Sequence, residues 1–122
     1  MVIKKCLKCG AIVEVLKDCT CDNCGVRCCG EQMVEMVANS VDASVEKHKP
    51  QVMIVGDMIE VVVPHVMEDA HYIEWIALES AGMSTKINLK PGDATKVEFP
   101  YVKGSRVYAY CNLHGLWETI VE

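Results

Sequence analysis

The chain has 122 residues, room for one ordinary domain, or for a domain of about 85 residues carrying a small module whose core is too slight to fold without a metal or disulfides. Twelve Lys and Arg against seventeen Asp and Glu give a net charge of −5, and no basic run interleaved with aromatics offers a track for a phosphate backbone, so no nucleic-acid partner is expected. No apolar run approaches the roughly 18 residues of a membrane span, and Met1 to Cys6 enters a cysteine-rich segment without a signal-like stretch. A cytoplasmic protein with no membrane partner is the expectation.

Seven of the eight cysteines lie between Cys6 and Cys29, whereas Cys111 and all four histidines lie further on. In a reducing compartment dense cysteines are more often metal ligands than disulfides. Composition divides the chain near residue 36, giving a cysteine-rich module over 1–36 and a second domain over 37–122. The first part holds Cys6-Leu7-Lys8-Cys9-Gly10, a short strand-like run Ala11 to Leu16, and a polar loop with Cys19, Cys21 and Cys24 that ends at Cys28-Cys29-Gly30. That is too little apolar material for a core without metal. The pairs Cys6/Cys9 and Cys21/Cys24 each have Cys-x-x-Cys spacing, a strong metal signal that does not name the metal. Residues 37–46 are small and polar and read as a linker.

Beyond residue 46 the signals are strands. Gln51 to Val55 and Met58 to Val63 are rich in Val and Ile and flank Gly56-Asp57, a hairpin turn, and Pro64 ends the second run because it cannot donate to a ladder. Tyr72 to Leu78 and Thr85 to Leu89 follow, then Lys90-Pro91-Gly92-Asp93, whose central Pro-Gly suits a type II turn. Lys96 to Tyr101, Arg106 to Tyr110 and Leu116 to Val121 complete the set. About seven short, regularly spaced strands with no helix-length amphipathic run predict a mainly β protein with an immunoglobulin-like β-sandwich.

The histidines fall at turns and strand ends: Glu46-Lys47-His48, then His65 and His71 on either side of Met67, and finally Cys111-Asn112-Leu113-His114-Gly115. A histidine taken alone is ordinarily a surface or hydrogen-bonded residue. Four of them with one cysteine, all at positions able to converge on one end of a sandwich, point instead to a metal site. Trp75, Trp117 and Tyr110 read as core or pocket wall, and Met67 as packing. Cys111 with His114 lacks the orienting base and oxyanion element of a nucleophilic site.

These motifs carry a resemblance. Glu46-Lys47-His48 with Pro50, His65-x-Met67 followed by His71, Ile73-Glu74-Trp75-Ile76, Lys90-Pro91-Gly92-Asp93 and Cys111-Asn112-Leu113-His114-Gly115-x-Trp117 resemble the superoxide reductase domain of desulfoferrodoxins and neelaredoxins. Upstream, Cys6-x-x-Cys9-Gly10, Val13-Glu14-Val15-Leu16 and Cys28-Cys29-Gly30-Glu31-x-Met33 resemble the desulforedoxin module of the two-iron members. The resemblance implies one-electron reduction of superoxide to hydrogen peroxide, without dioxygen production, at a non-haem iron. His48, His65, His71 and His114 would be its equatorial ligands and Cys111 an axial thiolate. It also implies that Lys47 attracts superoxide and that Glu46 binds the oxidised iron, where the bland reading of both is a solvated loop. Cys6, Cys9, Cys28 and Cys29 match the ligands of a mononuclear iron.

Cys19, Cys21 and Cys24 exceed that pattern and leave ligand choice open, so a methanoferrodoxin-like four-iron four-sulfur cluster or a zinc site stands beside the mononuclear iron. A small electron donor such as rubredoxin and a homodimer are expected from the family. The competing functional class is a zinc-stapled β-sandwich binding module without redox activity. Visible colour would distinguish the two.

Overall fold

The computed structural model describes all 122 residues. It divides into two compact units, Met1–Val37 and Ala38–Glu122. In the first, β1 (Ile3–Lys5) pairs antiparallel with both β2 (Ile12–Glu14) and β5 (Val34–Glu35). A two-stranded ribbon, β3 (Arg27–Cys28) with β4 (Glu31–Gln32), completes it. The ribbon turns at Cys29 and Gly30, both at positive φ (54° and 79°), the backbone of a type I′ hairpin turn. Only Ile3, Cys6 and Met33 are buried in this unit, while Leu7 and Leu16 are exposed. A fully buried aliphatic side chain contributes about 1.5–3 kcal/mol, so two of them cannot offset the ordering of 37 residues. The unit depends on its cysteines.

The second unit starts with a four-residue helix, α1 (Val45–His48), followed by β6 (Gln51–Val55) and β7 (Met58–Val62). These strands are joined at Gly56-Asp57 in antiparallel register, with Val55 opposite Met58. Next come β8 (Ile73–Ser80), β9 (Met83–Asn88), β10 (Lys96–Pro100), β11 (Arg106–Cys111) and β12 (Gly115–Ile120). The strands form two sheets, in the orders β10-β7-β6 and β12-β11-β8-β9. The expected mainly β sandwich of seven strands is the fold observed. Along β10, Val97 and Phe99 point inward and Lys96 and Glu98 outward, the alternation of a strand with one face buried. Ile59, Val61 and Val63 meet Ile73, Ile76, Leu78, Val107 and Ala109 in one core. The other face of the second sheet carries Trp75 stacked on Tyr110, ring centroids 5.7 Å apart.

Two differences from the sequence reading concern the approach to β6. The segment read as a linker is anchored: Asn39 N–H donates to the Leu116 carbonyl at 3.0 Å, and its side chain both donates to the Glu118 carbonyl and accepts from the Glu118 N–H. Asn39 does this from φ +60°, a conformation Asn tolerates better than most residues. The helix α1 is too short for any periodicity to announce. At Lys90-Pro91-Gly92-Asp93 the predicted turn forms, with Asp93 N–H donating to the Lys90 carbonyl at 3.0 Å and Gly92 at φ +88°.

Candidate metal centre

Five side chains converge from four places in the second unit. His48 ends α1, His65 follows β7 after Pro64, and His71 closes a short bridge with Glu68. Cys111 is the last residue of β11, and His114 lies in the turn into β12. One potential ligand atom from each lies within 4.8 Å of all the others. The β11–β12 turn sets two of them: Cys111 pairs with Gly115 across a three-residue loop, and Gly115 sits at φ +80°. A register shift between Tyr110 and Cys111 against β8 aims the cysteine at the site, as bulges beside functional groups do. The two ligand-bearing loops are tied through Asn112, which accepts from the Tyr72 N–H at 2.9 Å and donates to the Ala70 carbonyl at 3.0 Å.

The hydrogen bonds determine which ring nitrogen faces the centre. His48 Nδ1 lies 2.7 Å from the Ser44 carbonyl and His65 Nδ1 2.5 Å from the Val66 carbonyl. A carbonyl can only accept, so both rings carry their proton on Nδ1 and present a bare Nε2 inward. His48 Nε2 then lies 3.0 Å from His114 Nδ1, and His65 Nε2 lies 3.4 Å from Cys111 Sγ. His71 Nε2 is buried with no hydrogen-bond partner, which in a folded protein calls for an explanation. Two donors at right angles on one ion, each about 2.0–2.1 Å from it, lie about 3 Å apart. The spacing and the orphaned nitrogen both fit a metal held by Nε2 of His48, His65 and His71, Nδ1 of His114 and Sγ of Cys111. Imidazole and thiolate are suitable ligands for iron, and the set fits a non-haem iron site.

Electrostatics keep His48 and His65 in binding form. Burial lowers His48 below the ordinary histidine value, against the opposing Ser44 carbonyl, and His114, His71 and Lys47 add to the lowering. Burial likewise lowers His65, with the Val66 carbonyl opposing. Both rings are therefore neutral at pH 7. Burial raises Cys111, while the backbone N–H groups of Leu113 and His114 pull it back. The His114 N–H lies 3.4 Å from Sγ, placed to support a thiolate. Trp117 braces the site, stacking on His48 with ring centroids 5.1 Å apart and donating from Nε1 to the His114 carbonyl at 3.1 Å.

In the first unit, Cys6, Cys9, Cys28 and Cys29 bring their sulfurs within 4.8 Å of one another. Cys6 and Cys9 sit in a tight knuckle in which the Gly10 N–H donates to the Cys6 carbonyl at 2.9 Å and the Cys9 N–H approaches Cys6 Sγ at 3.5 Å. That N–H lowers Cys6 to about 7. Cys28 is pushed up to about 12 by hydrogen bonding with Cys6, then with Cys9. The cluster is arranged to hold a metal. Cys19, Cys21 and Cys24, the alternative ligands, do not join it: Cys19 and Cys24 form a disulfide, and Cys21 is a free, exposed thiol.

The family model described as Desulfoferrodoxin matches residues 40–120. The chain is 45% identical over 121 residues to the desulfoferrodoxin of Nitratidesulfovibrio vulgaris, covering 95% of this chain and 93% of that one. It is 41% identical over 124 residues to the desulfoferrodoxin homolog of Archaeoglobus fulgidus, covering 98% and 96%. The chain belongs to the desulfoferrodoxin family. Among solved structures this desulfoferrodoxin resembles the superoxide reductase of Treponema pallidum, with a TM-score of 0.69 and 27% identity over 96% of this chain and 98% of that one. It also resembles a 1Fe superoxide reductase from Giardia intestinalis, with a TM-score of 0.55 and 29% identity over 63% of this chain and 98% of that one.

The remaining site residues from the sequence are placed as follows. Glu46 and Lys47 are exposed on α1, two residues and one residue before His48. Met67 packs against the core, and its sulfur accepts from the Ile73 N–H at 3.4 Å. Sequence reasoning gave no role to Ser44, Val66 or Asn112. The first two act through backbone carbonyls, which leave no trace in residue type, whereas Asn112 was visible inside the Cys-Asn-x-His-Gly element. No helix is long and apolar enough to cross a membrane.

Proposed function

We propose that this desulfoferrodoxin is a superoxide reductase, converting superoxide to hydrogen peroxide by one-electron reduction without releasing dioxygen. The observation that carries the reading is the convergence of four imidazole nitrogens and one buried thiol within 4.8 Å, with His71 Nε2 lacking any other partner. When bound there, iron supplies the reducing electron, and with four neutral imidazoles and one thiolate a ferrous centre keeps a net charge of about +1, attractive to a small anion. Lys47 adds a positive charge on the same turn as His48. It steers superoxide inward. Glu46 supplies a carboxylate for the oxidised resting site. His48 and His65 keep their Nδ1 protons on the Ser44 and Val66 carbonyls, and the two protons of hydrogen peroxide are drawn from solvent.

Residues 1–36 act in this reading as a desulforedoxin-like relay and residues 37–122 as the reductase domain. Mononuclear iron is favoured at Cys6, Cys9, Cys28 and Cys29 by sulfur spacing: Cys9 to Cys28 is 3.6 Å and Cys28 to Cys29 is 3.8 Å. Four sulfurs about 2.3 Å from one tetrahedral ion lie about 3.8 Å apart, whereas a cubane gives each thiolate its own iron and spreads them. A small redox protein such as rubredoxin is the proposed donor, in the cytoplasm. A second copy of the chain suits β6, an edge strand that leaves Met53, Ile54 and Val55 exposed.

The test is product stoichiometry. Iron-loaded protein given superoxide and an electron donor should form one hydrogen peroxide per superoxide and no dioxygen; dioxygen evolved with half that peroxide would mean dismutation. Counting iron, zinc and acid-labile sulfide after anaerobic purification decides the N-terminal metal, since a mononuclear iron carries no sulfide. A colourless, zinc-filled protein would support the binding-module alternative.

A further inference from the structure

Three sulfurs belong to neither ligand cluster. Cys19, Cys21 and Cys24 lie in the irregular loop between β2 and β3, with Cys19 and Cys21 exposed and Cys24 half-buried. Cys19 and Cys24 are joined, their Cα atoms 6.3 Å apart, within the range a disulfide spans without backbone movement. Asn23, at φ +57°, bends the ring back on itself. We propose that Cys19 and Cys24 form a peroxide-responsive thiol–disulfide couple, a second redox site in this chain that needs no metal.

A structural staple fits the position poorly. The bond closes a separation of five residues, and stapling by chain entropy is weakest for the shortest loops. No apolar core lies beneath it, because Ile3, Cys6 and Met33 are all that unit 1 buries. Exposure, in contrast, is what thiol–disulfide exchange requires. Cys21, free and exposed inside the same ring, leaves the oxidised loop with one thiol and the reduced loop with three.

The oxidant is hydrogen peroxide, the product assigned to this chain under the proposed function, on which this inference rests for its source. One thiolate of the pair attacks a peroxide oxygen; the O–O bond breaks, a sulfenic acid forms on sulfur and one water leaves. The second thiol attacks that sulfur, the S–S bond forms and the second water leaves. Two thiols have lost two electrons and two protons, and peroxide has become two waters. A dithiol returns the pair to the reduced state through a mixed disulfide.

The experiment uses the full-length, metal-loaded protein and adds hydrogen peroxide as a reagent, so that its outcome does not depend on superoxide chemistry. Protein reduced by dithiothreitol under anaerobic conditions, desalted and alkylated should be labelled at Cys19, Cys21 and Cys24 while its visible spectrum persists. After peroxide, the intact mass should fall by two hydrogens and peptide mapping should find Cys21 alone labelled among the three. In Cys19→Ser, Cys24→Ser protein that mass loss should vanish. A pair that resists dithiothreitol until the N-terminal chromophore is lost, or that stays open after peroxide, would overturn the couple. So would thiols shielded from label together with acid-labile sulfide, which would assign them to a cluster. A protein that passes this test yet fails to reduce superoxide would contradict the proposed function and leave the couple standing.

Discussion

His48 shows how much a single residue is asked to do. Its Nδ1 proton is fixed by the Ser44 carbonyl, its face by Trp117, and its Nε2 lies 3.0 Å from His114 Nδ1. The two residues before it are exposed charges of opposite sign, and they separate in a mutant series. Lys47→Ala should slow superoxide capture about 10-fold at low ionic strength and flatten its salt dependence, because steering by charge is screened. Glu46→Ala should leave capture unchanged and alter the spectrum of the oxidised resting state. Pulse-generated superoxide with stopped-flow spectra reads both, and an unchanged capture rate in Lys47→Ala would remove the steering role.

Titration gives a second residue-level expectation, for protein stripped of metal by a chelator. His48 and His65 are lowered from 6.5, so between 6.5 and their lowered values the unfolded chain binds more protons than the folded one. Stability is therefore lost as pH falls through that window. Cys111 is raised from 9.0, so the unfolded chain gives up its proton first and stability is lost as pH rises beyond 9.0. Thermal melts of the metal-free protein should give a Tm that is highest between these limits. A Tm at pH 5 equal to that at pH 7.5 would contradict the assignment.

At the scale of elements, the β11–turn–β12 hairpin governs the site, since Cys111, His114 and Trp117 all ride on it. Gly115 adopts φ +80° opposite Cys111, a conformation that costs a residue with a Cβ about 1–2 kcal/mol. Gly115→Ala should lower stability by about that amount and weaken metal retention about 10-fold or more by displacing His114. Thermal melts and chelator competition measure the two effects. The hairpin was legible as two strands flanking a Cys-Asn-x-His-Gly element, and so were β6 to β10, because their alternation and turn residues are local signals. The helix α1 and the anchoring of Asn39 were not. The helix is only four residues long and Asn39 is held by Glu118 seventy-nine residues away, so neither leaves a periodic pattern.

The whole molecule is two units of unequal self-sufficiency. The larger has a continuous aliphatic core; the smaller has four convergent thiols in place of one. Donor identity at the histidine site was legible because five residues of only two types, four His and one Cys, recur in a family order. The choice among the seven N-terminal cysteines was not, since spacing alone allows Cys21 and Cys24 as readily as Cys28 and Cys29. The family resemblance favoured Cys6, Cys9, Cys28 and Cys29, and the fold, with its turn at Cys29-Gly30, brings those four sulfurs together. Substituting Cys6 and Cys9 by Ser should abolish the N-terminal chromophore and unfold residues 1–37, seen as fast amide exchange there, because metal binding supplies most of the folding free energy of such a unit. Single-turnover superoxide reduction by the pre-reduced larger unit should survive. Its loss in protein that keeps the histidine-ligated iron would end the relay assignment.

The central claim is that Cys111 and the four histidines hold the iron that reduces superoxide. Anaerobic ferrous protein mixed with a single pulse of superoxide, wild type beside Cys111→Ser, tests it most directly. The wild type should consume the pulse and develop the visible sulfur-to-iron absorption of the oxidised centre, and Cys111→Ser should show neither the band nor rapid consumption. A Cys111→Ser protein that keeps its iron, the visible band and full superoxide reduction would contradict the account.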